Sequence, residues 1–177
     1  MRMFDVQLNG IFRAGYEDVP VIRAMMDEAV RNLPDRAWYI DDPPSYIEKH
    51  IEQEGYILKY MCEGTPAGFL MVRRPGLSDD NLGCYLGYPE EKLLAVAHIE
   101  STVVLRAFQG RGIFSVLLTR AVETENESKK DGHRYILATA HPDNHYSSHI
   151  LEKHLFSPAG FIEQYHSYRR VLYERIL

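Results

Sequence analysis

The chain has 177 residues, 45% of them hydrophobic, and a formal net charge of −5. That length suits one domain spanning residues 1–177 with a core that needs no disulfides, and the acidic balance argues against general nucleic-acid binding, which requires a basic face. No apolar run approaches the roughly 18 residues of a membrane span, the apolar start breaks at Asp5 as a secretory signal would not, and Cys62 and Cys84 lack framework or metal spacing, which fits reduced thiols in a cytoplasmic protein.

Residues 4–13 alternate and predict a first strand, with Asn9-Gly10 as an interruption. Ile22, Met25, Met26 and Val30 form one stripe of a helix over 16–31 with Pro20 near its start, and Leu33-Pro34-Asp35 ends it. After the loop Asp41-Asp42-Pro43-Pro44-Ser45, the residues Tyr46, Ile47 and Ile51 predict a short helix that closes at Gly55. Strands follow over 56–62 and 67–72, joined through Glu63-Gly64-Thr65-Pro66 as a hairpin. The polar segment 74–91 is long for a compact domain and is either a lid on the acceptor side of a site or plain surface cover. A strand over 95–105 and a helix carrying Phe114, Leu117, Leu118 and Ala121 come next, the helix closed by Lys129-Lys130-Asp131-Gly132. Residues 135–140 predict a strand, 141–144 a turn and 145–154 a helix; 161–164 and 165–173 predict a final hairpin. The order is that of an α/β protein with a mixed sheet covered by helices.

The stretch from Leu93 to Ala121 organises the rest. Between its strand and its helix lies Gln109-Gly110-Arg111-Gly112, and glycines at a helix start let an anion reach backbone N–H groups that have no partner in the helix. Taken alone, the turn either cradles a phosphate or is a tight connection that binds nothing. The run from Val104 to Ile113 resembles the acetyl-CoA signature of the GNAT acetyltransferase superfamily, a strand ending in Val followed by Q/R-x-x-G-x-G/A. Gln109 and Gly112 match; Phe114 departs from the usual Gly or Ala, and its ring is expected to turn into the core while its N–H faces the ligand. The resemblance implies a GNAT-type, mainly antiparallel mixed sheet flanked by helices. It also implies acetyl-CoA as acyl donor, gripped by Gln109, Gly110, Arg111, Gly112, Ile113 and Phe114, with Val103 and Val104 along its pantetheine arm.

In the same superfamily an Asn in the loop after the next strand reaches the pantetheine, and a Tyr seven positions later often serves as general acid before a Gly-Phe pair. Counting without gaps from Asn144 places Ser147 beside the cofactor, Leu151 at the Tyr position and Leu155-Phe156 at the Gly-Phe pair. A capping role for Asn144 is the alternative. Tyr146 stands as the substitute acid, against a purely structural phenol. For proton removal from the acceptor, His98 and Glu100 are the candidates: alternation puts them on one strand face, and a charged Glu in an apolar strand is costly unless paired or functional. Pairing of the two, or a solvated sheet face, is the competing account.

His141, His145, His149 and His154 lack metal-type spacing, so no metal is expected. Asp79-Asp80 and Glu90-Glu91 either attract a cationic acceptor or are solvated loop charges. The expected function is acetyl transfer from acetyl-CoA to the amine of a small molecule or peptide, without nucleic-acid or membrane partners and with a homodimer left open. The alternative is an acyl-CoA-binding sensor or interaction module with little turnover.

Overall fold

In the computed structural model, which describes residues 9–39, 43–128, 134–164 and 168–177, seven strands form one sheet. They are β1 (Gly10–Arg13), β2 (Gly55–Cys62), β3 (Thr65–Arg73), β4 (Val96–Val104), β5 (Tyr135–Ala140), β6 (Ser157–Gln164) and β7 (Tyr168–Ile176). Their spatial order is β1-β2-β3-β4-β5-β7-β6, and only β4 and β5 run parallel. This is the mixed, mainly antiparallel sheet expected of the sequence.

Helices cover both faces. On one side lie α1 (Val19–Asn32) and α2 (Pro44–Glu52), whose Ile22, Met26 and Ile47 pack on Ile57, Phe69 and Met71. The short α3 (Glu90–Leu93) precedes β4. On the opposite side, α4 (Ile113–Glu127) and α5 (His145–Lys153) pack on Leu70, Val72, Ala97 and Ile136. With cover above and below, β3 is buried at every position from Ala67 to Arg73, so it reads as a continuous apolar run rather than an alternating one. The stripe that predicted α4 is the one it buries, with Leu117, Leu118 and Ala121 at 0% exposure.

Some boundaries differ from the sequence reading. The described part of the first strand is Gly10–Arg13, and the expected stop at 129–132 lies outside the described residues. Tyr16–Asp18 form a 3₁₀ turn ahead of α1. The β2–β3 connection is a two-residue turn, because Glu63 and Gly64 both take positive φ (51° and 76°) and the pairing already resumes at Thr65. Pro66 is tolerated inside β3 because the register shifts opposite it. β6 begins at Ser157, earlier than expected, since Pro158 and Gly160 sit at a bulge on an edge strand instead of in a turn. The last strand runs from Tyr168 to Ile176, and residues 165–167 of the expected strand lie outside the described residues.

The segment 74–91 is tied down. Asn81, fully buried, donates to the carbonyls of Gly76 and Leu93 and accepts from Gly83 N–H, which holds a 3₁₀ helix over Leu82–Leu86 in place.

Candidate active site

The site grows from the parallel pair. The β4–β5 ladder ends at Ile99↔Ala138 although both strands continue, so a cleft opens between Glu100–Val104 and Thr139–Ala140. β4 also carries a bulge: Val72 opposes Ile99 but Leu70 opposes Thr102, leaving one extra residue at Glu100-Ser101. The bulge exchanges the faces of the strand. Ala97 and Ile99 point to the α4 side, whereas Val103 points to the α1 side.

Two cavities meet in this cleft. The larger, about 460 Å³, runs along Val103, Val104, Leu105, Gln109 and Gly110. The smaller, about 280 Å³, is lined by Glu100, Asp80, Arg73, Tyr46 and Leu151 among others. Thr102, Phe114, Asn144 and Ser147 line both, under a roof of Trp38 and Tyr39. Arg170, buried on β7, holds that roof by donating to the carbonyls of Ala37 and Trp38 at 2.7 and 3.1 Å, and the Trp38 ring stacks on His141.

At the α4 end of the larger cavity, Gly110 and Gly112 take φ of 76° and 74°, and a Cβ at either position would meet no atom within 4 Å. The first helical bond runs from Val116 N–H to Gly112 C=O, so the amides of Ile113, Phe114 and Ser115 have no partner within the helix. The backbone N–H of Gln109 is spent on Arg106 and its side-chain amide on Val104 C=O; this residue braces the turn. The Arg111 guanidinium lies over the Phe108 ring at 5.3 Å. Phe114 is buried among the core side chains, as expected from the sequence, with its ring 6.4 Å from that of Tyr146. Asn144 caps α5, its Oδ1 accepting from Ser147 N–H at 3.1 Å, which leaves its side-chain N–H₂ for a ligand. A diphosphate and an amide-bearing arm fit this donor set.

In the smaller cavity, Glu100 and His98 are together, with His98 Nδ1 3.1 Å from Glu100 Oε1. His98 is 1% exposed and its Nε2 accepts from Leu82 N–H at 3.1 Å; that bond assigns the remaining ring proton to Nδ1, directed at the carboxylate. Arg73 Nη1 approaches the same Oε1 at 3.5 Å. Burial pushes the Glu100 carboxyl up, but the His98 hydrogen bond and the charge of Arg73 outweigh it and hold the group below the usual glutamate range. Asp80 accepts both Arg73 Nη groups at 2.8 Å, and that hydrogen bonding holds its carboxyl well below the ordinary range. Burial works against the Arg73 charge, yet its carboxylate neighbours keep it firmly protonated. His50 is fully buried against Tyr46, which pushes its pKa down.

Tyr146 is 56% exposed and borders the larger cavity, not the one that holds Glu100. Leu151, 2% exposed, presents an aliphatic wall to the smaller one. Leu155 has φ of 63°, so the backbone there keeps the left-handed conformation that a Gly would take. The aromatic roof escapes a sequence reading because its partners lie far along the chain, and the Arg73–Asp80 pair because nothing local shows the loop folding back onto β3; Asp80 was visible only as a loop charge. Among the described residues no three His, Cys, Asp or Glu side chains gather as a metal site, and no helix is long and apolar enough to cross a membrane.

A mixed sheet with one splayed parallel pair, and a glycine-flanked helix start at the mouth of the splay, define a class of α/β fold whose central cleft offers backbone amides to an anion. The family model described as "Acetyltransferase (GNAT) family" matches residues 23–156, and the chain belongs to that family. Among solved structures it is similar to an N-acetyltransferase from Staphylococcus aureus Mu50, at 21% identity and a TM-score of 0.69 over 95% of this chain and 98% of that one. It is also similar to YncA from Salmonella typhimurium, solved with its cofactor acetyl-CoA, at 15% identity and a TM-score of 0.71 over 96% and 94%. Aminoglycoside acetyltransferase AAC(6')-Ib, in complex with coenzyme A and kanamycin, shares 16% identity with a TM-score of 0.70 over 95% and 94%. A comparison with curated proteins finds no match.

Proposed function

We propose that the protein moves an acetyl group from acetyl-CoA directly to a primary amine of a small molecule or peptide. The observation that carries this reading is the meeting of the two cavities at Thr102, Phe114, Asn144 and Ser147, with free helix amides on one side and an ionised Glu100 on the other. The donor would lie along Val103 and Val104, its diphosphate against the amides of Gly110, Arg111, Gly112, Ile113 and Phe114, and its arm beside Asn144 and Ser147. Holding thioester and amine at that junction supplies most of the acceleration.

The proton inventory assigns the rest. A lysine-like ammonium loses its proton to water at neutral pH for about 5 kcal/mol, but giving it to a carboxylate held below the ordinary range costs about 8 kcal/mol or more. Glu100 therefore does not deprotonate the free ammonium. It attracts the cation, which loses one proton to solvent to expose the nitrogen lone pair; once that neutral amine has formed the C–N bond and its nitrogen has become far more acidic, Glu100 takes the second proton and later returns it to solvent. His98, with both ring nitrogens engaged, holds Glu100 in place. As the C–S bond breaks, Leu151 offers no proton, so the thiolate takes one from Tyr146 or from solvent, and Tyr146→Phe separates these routes.

The same Leu151 favours a second reading, an acyl-CoA-binding module with little turnover. Acetyl-CoA incubated with spermidine, kanamycin, glycinamide and an alanine-starting hexapeptide, followed by CoA release and product mass, decides between them. Release of CoA with a product heavier by one acetyl group supports transfer; tight binding of CoA without release from any of the four supports the sensor.

A further inference from the structure

Three consecutive residues of the segment after β3 bear on Glu100. Asp80 holds Arg73, Asn81 pins the segment itself, and Leu82 N–H fixes the His98 ring. Among the described residues, the two hydrogen-bonding partners of Glu100, His98 Nδ1 and Arg73 Nη1, both fall on the same oxygen, Oε1. Oε2 is left to the cavity.

That vacancy depends on how one guanidinium is divided. Arg73, with its side chain 7% exposed, lies among three carboxylates: Nε faces Glu54 at 3.4 Å, Nη1 and Nη2 grip Asp80 at 2.8 Å, and Glu100 receives only the longer 3.5 Å approach. Asp80 is in turn oriented by Ser78 Oγ at 2.6 Å. A planar guanidinium prefers a bidentate carboxylate, and two such partners compete for the same pair of nitrogens.

We propose that Asp80 is a positioning residue for Glu100: by occupying Arg73 in a bidentate pair, it keeps Arg73 from closing on Glu100 and so leaves Oε2 open to the acceptor amine. The inference rests on the reading of Glu100 given above. Without the Asp80 charge, the two Nη groups of this side chain, itself 7% exposed, have lost their anionic partner, and the nearest remaining carboxylate to them is Glu100, 3.5 Å from Nη1. The guanidinium turns to it, takes both oxygens, and cancels the charge that the ammonium would meet. The remaining charged or titratable neighbours, His50 and Tyr46 from α2, Glu54 after it and Arg170 from β7, stay where they are.

A double-mutant cycle tests this, using whichever of spermidine, kanamycin, glycinamide or the alanine-starting hexapeptide turns over fastest. Asp80→Asn is expected to lower kcat/KM for the acceptor about tenfold in the parent and less than about twofold in the Glu100→Gln background, because the route through Glu100 is then already closed. KM for acetyl-CoA and the thermal midpoint move little, since Asp80 has a side chain 60% exposed and stands away from the larger cavity. Equal losses in both backgrounds overturn the inference while leaving Glu100 its role. A Glu100→Gln variant as fast as the parent removes the role and the inference together, as does a protein inert toward all four amines.

Discussion

Leu155 illustrates how much a single residue's backbone can tell. It ends α5 in a Schellman arrangement, with Phe156 N–H on Leu151 C=O and Leu155 N–H on Glu152 C=O, and it does so at φ 63° with 73% of its surface exposed. An L-residue pays about 1–2 kcal/mol for that conformation, and an exposed leucine side chain recovers little of it. Leu155→Gly should therefore stabilise the protein by about 0.5–1 kcal/mol after allowing for the looser unfolded chain, a rise of about 1–4 °C in a thermal scan; a fall would mean that its side-chain contacts outweigh the strain. Glu100 yields a second expectation at this scale. Because its carboxyl sits below the ordinary range, it stays ionised across the working range, and the ascending limb of the pH–rate profile belongs to the acceptor amine. Glu100→Gln should lower kcat/KM by about a hundredfold, by the same factor along the whole limb, and an acceptor of lower amine pKa should move the limb down. A limb that disappears with Glu100→Gln would show that this carboxylate itself titrates there.

The strand-turn-helix unit from β4 to α4 is where element-level reasoning can be tested. Gly112 opens α4 from the left-handed region, with open space where a Cβ would stand. Gly112→Ala should cost about 1 kcal/mol in stability from the backbone alone, whereas Gly112→Glu adds a negative charge at the proposed diphosphate seat and should weaken CoA binding at least about tenfold by calorimetry. Unchanged CoA affinity in the folded Gly112→Glu protein would move the diphosphate elsewhere. This unit was largely legible in advance, since helical spacing of Phe114, Leu117, Leu118 and Ala121 and the paired glycines are local signals. Alternation correctly put His98 and Glu100 on one face. It failed just beyond, because the bulge at Glu100-Ser101 is set by pairing with β3 and carries no Gly or Pro to announce it. Whether the segment 74–91 is a lid or plain surface cover stays open in the sequence for the same kind of reason: what pins it is Asn81 reaching Leu93 and Leu82 reaching His98, contacts between residues far apart in the chain. Composition reports the polarity of such a segment and nothing of its anchors.

Across the whole molecule, these buried ionic groups make stability a function of pH, in a direction that can be worked out. Burial lowers the pKa of His50 and of His154, so the unfolded chain takes up protons at these positions first; their effect is absent above about pH 6.5 and lowers stability as pH falls below it. Asp80 and Glu100 also titrate below their unfolded values, held down mainly by Arg73 and by His98 respectively against the opposing effect of burial. Their stabilisation is complete above the ordinary carboxylate range, about pH 4.5, and is lost as pH drops through their folded values. The urea midpoint should therefore be level from about pH 7 to about pH 9, decline through the histidine range, and fall more steeply below about pH 4.5. Asp80→Asn separates the stages. Its side chain is 60% exposed, so solvent screens much of its charge and the loss at neutral pH is small. The variant should follow the parent through the histidine range and fall somewhat less steeply below it, because one of the two carboxylates that drive the steep stage is gone. An acid fall as steep as the parent's would place the proton uptake on carboxylates outside the Arg73 cluster, and would mean that the charges around the smaller cavity contribute little to holding the sheet together.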